Sequence, residues 1–434
     1  MEQRPLTIRT LVPQWLPLAA TWLMMSTEGP FLAAVIARLV DPTYNLAAYG
    51  VAFSFALIVE SPIIMMMSAS TALVTDATTY RRLRNFMVAL NAAITALMLV
   101  FLAPPVFTFV AEGIIGLPAP VARIAHWTTA ALVPWPAAIG FRRFYQGVLI
   151  SRRLTRRVAY GTVIRIASMA GAAFALMMLT TLPGAVVGGL ALSTAVLTEA
   201  VVSRAMTARA IRQLLATPDR DESARLGYGA IARFYYPLAL TSLLALGVHP
   251  FLTLFMGRSA HALESLAVFP VINSLVFVFR SFGLSLQEVT IAHLGEQREG
   301  YAVLRRFATI VGAGATVGLA LIGFTPLATF WFEDVSGLTT TLSSFAFVPT
   351  MIQVLIPATS VLLAFQHAVL VHAKVTMPIT YGTVIEVAGI LVVMAAMVFM
   401  AGSTGAVAAS VALLVGRVLA NLWLFGPFFR VTRG

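Results

Sequence analysis

The chain has 434 residues, 59% of them hydrophobic and only 11% charged, with a mean hydropathy of +0.90. That composition excludes a soluble globular domain and describes an integral membrane protein, whose partner is the lipid bilayer. The absence of cysteine excludes disulfides and thiolate metal sites, and the net charge of +12 implies a nucleic-acid partner only if the basic residues gather on one soluble face.

In chain order, apolar runs fall near 11–38, 47–73, 86–110, 124–150, 158–180 and 185–208, then near 229–256, 266–294, 307–332, 341–371, 378–400 and 405–427. At roughly 20 apolar residues per span, these make about twelve transmembrane helices and leave no room for a sizeable soluble domain. The opening residues carry charge and then apolar side chains without a small-residue cleavage pattern, so the first run is expected to be a retained helix. Within that run stands Thr27-Glu28-Gly29-Pro30-Phe31-Leu32. Pro30 lacks a backbone donor and crowds the carbonyl of Ser26, which predicts a kink with a loosened carbonyl close to Glu28.

The polar breaks alternate in charge. Arg4 and Arg9 precede the first run, and every second break after it is basic: 81–84, 152–157, 298–306 and Lys374. The other breaks hold Arg38, Arg123 and Arg258 against Asp41, Glu112, Glu264, Glu333 and Asp334. Short cytoplasmic loops retain Lys and Arg, so a multi-pass plasma (inner) membrane protein with both termini cytoplasmic is expected. Residues 209–228 read as a cytoplasmic linker between an N-lobe (1–208) and a C-lobe (229–434). The alternation accounts for the net charge, so no nucleic acid is expected.

The two halves repeat. At an offset of 220, Pro17 falls on Pro237, Pro30-Phe31-Leu32 on Pro250-Phe251-Leu252, Arg38 on Arg258 and Ser61 on Ser281. At 221, Tyr160-Gly161-Thr162-Val163-Ile164 recurs as Tyr381-Gly382-Thr383-Val384-Ile385. An identical pentapeptide at nearly the same shift marks an internal duplication. With an even number of spans per half, the expected fold is all-α: two six-helix lobes related by a pseudo-two-fold along the membrane normal, a layout typical of transporters that alternate access.

The segments around Trp15–Met25, Asn45–Met66, Phe141–Arg153 and Tyr235–Arg258 resemble the multidrug/oligosaccharidyl-lipid/polysaccharide (MOP) flippase superfamily, which includes the MATE exporters. Within it, Thr27–Pro30 followed by Asn45–Ser54 looks most like the branch containing the progressive-ankylosis (ANK) proteins. The resemblance implies a twelve-helix, two-lobed, V-shaped carrier that is not an enzyme. It also implies that Glu28 occupies the place of the first-helix carboxylate, usually Asp, that couples MATE exporters to an ion.

Ionisable residues inside spans are costly unless paired or facing water. The spans hold Glu28, Glu60, Glu199, Glu288 and Glu386 against Arg142, Arg143, Arg165, Arg280 and Arg417, and the signs balance. Glu60 aligns with Arg280 and Arg165 with Glu386, so the repeat exchanges the signs and suggests the pairs Glu60 with Arg165 and Glu386 with Arg280. Such pairs either hold each lobe together or break during transport. Glu199 and Arg417 repeat the sign difference less closely.

Arg142 and Arg143 either snorkel to the cytoplasmic interface or project into an inward-facing cavity, where, beside Tyr145 and Gln146, they would bind an anion through bidentate hydrogen bonds. Glu28 and His249, each beside a proline, are the candidates for proton or sodium coupling, and Pro30 and Pro250 are matched hinges. No metal site or cofactor is expected beyond that coupling ion. The expected function is a monomeric secondary active exporter of a small organic solute, with an anion favoured. The alternative is a flippase for a lipid-linked saccharide or phospholipid.

Overall fold

The computed structural model describes residues 6–152, 154–216, 227–295, 299–373 and 375–433. Arg4, Arg298, Lys374 and the linker over 217–226 lie outside these residues. The described chain is helical, with one isolated bridge between Ala260 and Thr404, as a chain in lipid must be to satisfy its own backbone.

The first half comprises α1 (Ile8–Ser26), α2 (Glu28–Ala37), α3 (Pro42–Glu60), α4 (Met66–Leu73), α5 (Ala77–Phe101), α6 (Pro104–Thr108), α7 (Ala119–Ala131), α8 (Pro134–Ser151), α9 (Thr155–Leu179) and α10 (Gly184–Leu215). The second comprises α11 (Tyr228–Gly257), α12 (Ala262–His293), α13 (Tyr301–Gly323), α14 (Leu327–Thr329), α15 (Thr340–Gln353), α16 (Ile356–His372), α17 (Met377–Ala395) and α18 (Gly405–Arg433). π-helical turns cover Phe109–Ile115, Phe330–Val335 and Ala396–Met400.

Ten helical spans among the described residues are long and apolar enough to cross a membrane. The runs around 8–37 and 119–151 are not among them. The first is split at Thr27 and carries Pro13 and Pro17, and the second is split near Leu132 and carries Arg142 and Arg143.

The duplication is written into the backbone. Asp41 and His261, at an offset of 220, are the two non-glycine residues with positive φ among the described residues, both at 52° and both opening a long helix. At 221, π-helical Phe109–Ile115 falls on Phe330–Val335, and a glycine of positive φ follows each turn at the same offset, Gly116 at 84° and Gly337 at 74°. Arg84 lies 5.9 Å over the Tyr80 ring, and Arg305 lies 5.9 Å over Tyr301. Left-handed conformations disfavour side chains, so their recurrence in register reflects common backbone geometry rather than composition.

The helices pack as two compact units, Leu39–Leu254 and the remainder. The lobes drawn from the repeat have different boundaries, because the first helix of each half packs in the unit of the other half. In one unit, Trp15 Nε1 donates to Ser285 Oγ at 2.8 Å and its ring meets Phe307 edge-on at 5.3 Å. In the other, Tyr235 Oη donates to the carbonyl of Pro62 at 2.7 Å and packs on Phe86.

Three local features depart from the apolar pattern. Arg81, Arg82 and Arg84, expected in a break, lie inside α5, because the side chain of Asp76 accepts from the backbone of Thr79 and starts the helix before the apolar run. α3 stops at Glu60 ahead of Pro62, whereas α12, with Phe282 in the equivalent place, continues to His293. Pro30 interrupts the first run at Thr27, but α11 continues through Pro250, so the matched prolines differ in local effect.

Close packing of α4 on α8 rests on Gly147, where a β-carbon would stand 2.6 Å from the carbonyl oxygen of Met67 and 2.6 Å from Ser70 Cβ. Gly147→Ala is expected to cost about 1–3 kcal/mol, read as a lowered melting temperature of the purified protein. Gly171→Ala, at a position with open space around it, should leave the melting temperature unchanged or raise it.

Candidate functional site

In the unit Leu39–Leu254, five ionisable residues and a glutamine from four helices converge: Glu60 at the end of α3, Arg142, Arg143 and Gln146 on α8, Arg165 on α9 and Glu199 on α10. Spacing on α8 explains the geometry. Arg142 and Gln146 are four apart and share a face, while Arg143 is rotated away by one residue.

Arg142 Nη1 donates to Glu199 Oε2 at 2.7 Å, and Gln146 Nε2 donates to Oε1 at 3.0 Å. Arg165 Nε lies 3.5 Å from Oε2. The Glu199 side chain is 0% exposed, and both of its oxygens are engaged. A buried carboxylate is tolerated on those terms, paired and hydrogen-bonded at once.

The pairs suggested by the repeat are thus redistributed. Arg165 makes its ion contact with Glu199, while Glu60 is buried within the electrostatic reach of Arg143, Arg142 and Arg165, in that order of strength. Arg142 is ion-paired, because Glu199 takes its charge, which departs from the unpaired guanidinium of the cavity alternative. Arg143 is the arginine of the cluster without an ion contact among the described residues, although of the three it interacts most strongly with Glu60. Its Nη1 lies 3.8 Å from Met67 Sδ, and its Nε is buried without an acceptor. Tyr145 belongs to an aromatic core with Phe141 and Phe144, and Arg204 lies 5.4 Å over its ring.

The other unit holds a smaller cluster. Arg417 Nε on α18 lies 2.8 Å from Glu386 Oε1 on α17, and Arg280 on α12 is within the electrostatic reach of both. One ion contact of each unit is therefore equivalent under the repeat, Arg165 on α9 to Glu199 on α10 and Glu386 on α17 to Arg417 on α18, with the signs reversed, whereas the contact of Arg142 with Glu199 has no counterpart among the described residues. Arg280 rests 5.3 Å over the Phe277 ring and has no carboxylate partner among the described residues. Gln366, which aligns with Gln146, reaches the same neighbouring helix as its counterpart and donates to the carbonyl of Asn421. Glu199 and Arg417 carry more of the geometry than their loose alignment in sequence suggested.

Glu28 opens α2, where a carboxylate is favoured by the helix dipole, and Gly29 lets α2 approach α12, since a β-carbon there would stand 2.8 Å from Ser274 Cβ. His249 lies within α11 in the other packing unit. Both residues have interaction partners, so neither is a bare charge in an apolar helix. Glu288 is hydrogen-bonded with Trp22, outside the clusters.

Removing the Glu199 carboxylate would leave two buried guanidinium groups facing one another. Glu199→Ala is expected to destabilise the protein by about 3–5 kcal/mol in thermal or denaturant melting. Glu386→Ala should cost less, because its pair with Arg417 retains 15% and 17% side-chain exposure and water replaces part of the lost contact.

No family model and no curated protein matches this chain. Solved structures do match. An inward-facing multidrug resistance MATE family transporter of the MOP superfamily aligns with a TM-score of 0.72 at 13% identity, covering 95% of this chain and 96% of that one. The lipid II flippase MurJ in an inward closed conformation aligns at 0.71 and 12% identity, covering 96% and 90%. A MOP superfamily transporter from Pyrococcus furiosus, described as having a binding pocket of reverse polarity, aligns at 0.61 and 14% identity over 99% and 100%. The narrower ANK-type resemblance is not confirmed by these likenesses. Over nearly its whole length, the chain has the fold of the MATE transporters of the MOP superfamily.

Proposed function

We propose that the protein is a secondary active exporter of a small organic anion, working by alternating access in the plasma (inner) membrane. The observation that carries this reading is the charge left inside the spans. Three arginines face two glutamates in one unit and two face one in the other, so each cluster holds one cation more than its carboxylates neutralise. An arginine without an acid in a low-dielectric interior favours an anionic ligand, and its planar fork suits a carboxylate or phosphate. Arg143 is the residue proposed to meet it.

In this reading the split runs at 8–37 and 119–151 each serve as one span, which brings the ten apolar spans to twelve in two lobes with cytoplasmic termini. Glu28 supplies the coupling site for a proton or sodium ion, with His249 as its counterpart in the second repeat. The protein acts as a monomer and catalyses no covalent chemistry. A lipid-linked saccharide or phospholipid flippase is the second reading, favoured by the likeness to MurJ and by the phosphate that such a substrate would present to Arg143.

Reconstituted vesicles test both. A labelled organic anion is expected to move under an imposed proton or sodium gradient, and Arg143→Ala should slow it at least tenfold without a fall in melting temperature comparable to that of Glu199→Ala. Glu28→Gln should transport at a rate independent of the gradient; a Glu28→Gln protein that still responds removes the coupling role. Movement of a lipid-linked substrate between leaflets, with no anion uptake, would decide for the flippase.

A further inference from the structure

The second unit contains a small polar cavity of about 20 Å³ lined by Asn273, Phe277, Arg280, Gln353 and Arg417, among others. We infer that it is a binding site for a single monovalent, halide-sized anion, held by Arg280 with Asn273 and Arg417. The inference stands apart from the organic anion proposed above, because a cavity of this volume suits a single small ion rather than an organic solute.

Three observations converge. First, Arg280 and Arg417 share the single carboxylate of Glu386, and the 2.8 Å contact belongs to Arg417. Among the described residues Arg280 makes no ion contact of its own, and the Phe277 ring beneath it is a weak partner for a guanidinium in the interior. Second, four of the residues that line the cavity, Asn273, Arg280, Gln353 and Arg417, carry donors. Asn273 and Arg280 are seven residues apart on α12, two turns along one face, with Phe277 between them. Gln353 Nε2 already donates to Ser410 Oγ, which orients its amide. Third, the repeat shows what is missing. The residue equivalent to Arg280 is Glu60, a carboxylate set among arginines. Exchanging that acid for an arginine removes a negative charge and adds a positive one at the same place in the fold. A bound anion would place beside Arg280 the negative charge that Glu60 carries at the equivalent place in the other unit. Water would satisfy the donors but not the charge.

Thermal melting of the full-length protein in detergent, at constant sodium and ionic strength, tests this with chloride, bromide or gluconate as the anion. Chloride and bromide are expected to raise the melting temperature by about 2–4 °C over gluconate, which is too large for the cavity. Arg280→Gln should abolish the difference, Asn273→Ala should reduce it, and Arg143→Gln should leave it intact. Equal melting in chloride and gluconate overturns the site, as does an anion response that survives Arg280→Gln but vanishes in Arg143→Gln. Should Arg280→Gln fail to fold, bromide anomalous diffraction from crystals of the unaltered protein decides. A peak between Arg280 and Asn273 supports the site, and water alone there refutes it.

Discussion

The buried carboxylate of Glu199 is the constraint around which one packing unit is built. A charge with no access to water must find its solvation among side chains, and here Arg142, Gln146 and Arg165 provide it from two other helices. Those contacts fix the rotation of α8 and α9 about their axes relative to α10. That rotation in turn sends Arg143 away from Glu199, toward Met67 and the field of Glu60. The leftover cation is thus a consequence of the satisfied acid: on a helix, two neighbouring residues cannot face the same partner.

The second unit applies the same scheme with the signs reversed and fewer members. Arg417 replaces Glu199 as the α18 residue that meets its neighbour on α17, and Arg280 replaces Glu60. Backbone features survived duplication more faithfully than charges did. Left-handed residues at 41 and 261, and π-helical turns followed by Gly116 and Gly337, both recur. Geometry at these points is set by the chain's own stereochemistry, which both halves must obey. Charge inside the bundle is not constrained by that stereochemistry, and the halves are free to differ there.

Much of the fold was legible in the sequence because lipid makes hydropathy a near-direct readout of spanning helices. Helix ends were less legible. Asp76 starts α5 through a backbone hydrogen bond that no apolar count registers, and arginines at the membrane edge extend a helix beyond its apolar run. The candidate site was read at the level of its members. Glu60, Arg142, Arg143, Gln146, Arg165, Arg280 and Glu386 all belong to the two clusters, and Glu199 and Arg417 stood out as intramembrane charges. Their pairing was not readable, since alignment of the repeats shows which positions are equivalent but not which helices touch.

By itself the sequence determined the membrane class, the approximate spans, the duplication and the exchange of signs between halves, because each of these is a one-dimensional pattern of hydropathy or identity. Only the tertiary structure decided that Glu199 neutralises Arg142 and leaves Arg143 without an ion contact among the described residues, and that Glu386 goes to Arg417 and leaves Arg280 beside a polar cavity. The first helix of each half likewise found its packing partners in the unit of the other half. Which of several possible partners a buried charge or an apolar face meets depends on helix rotation and packing, and those are settled among helices far apart in the chain.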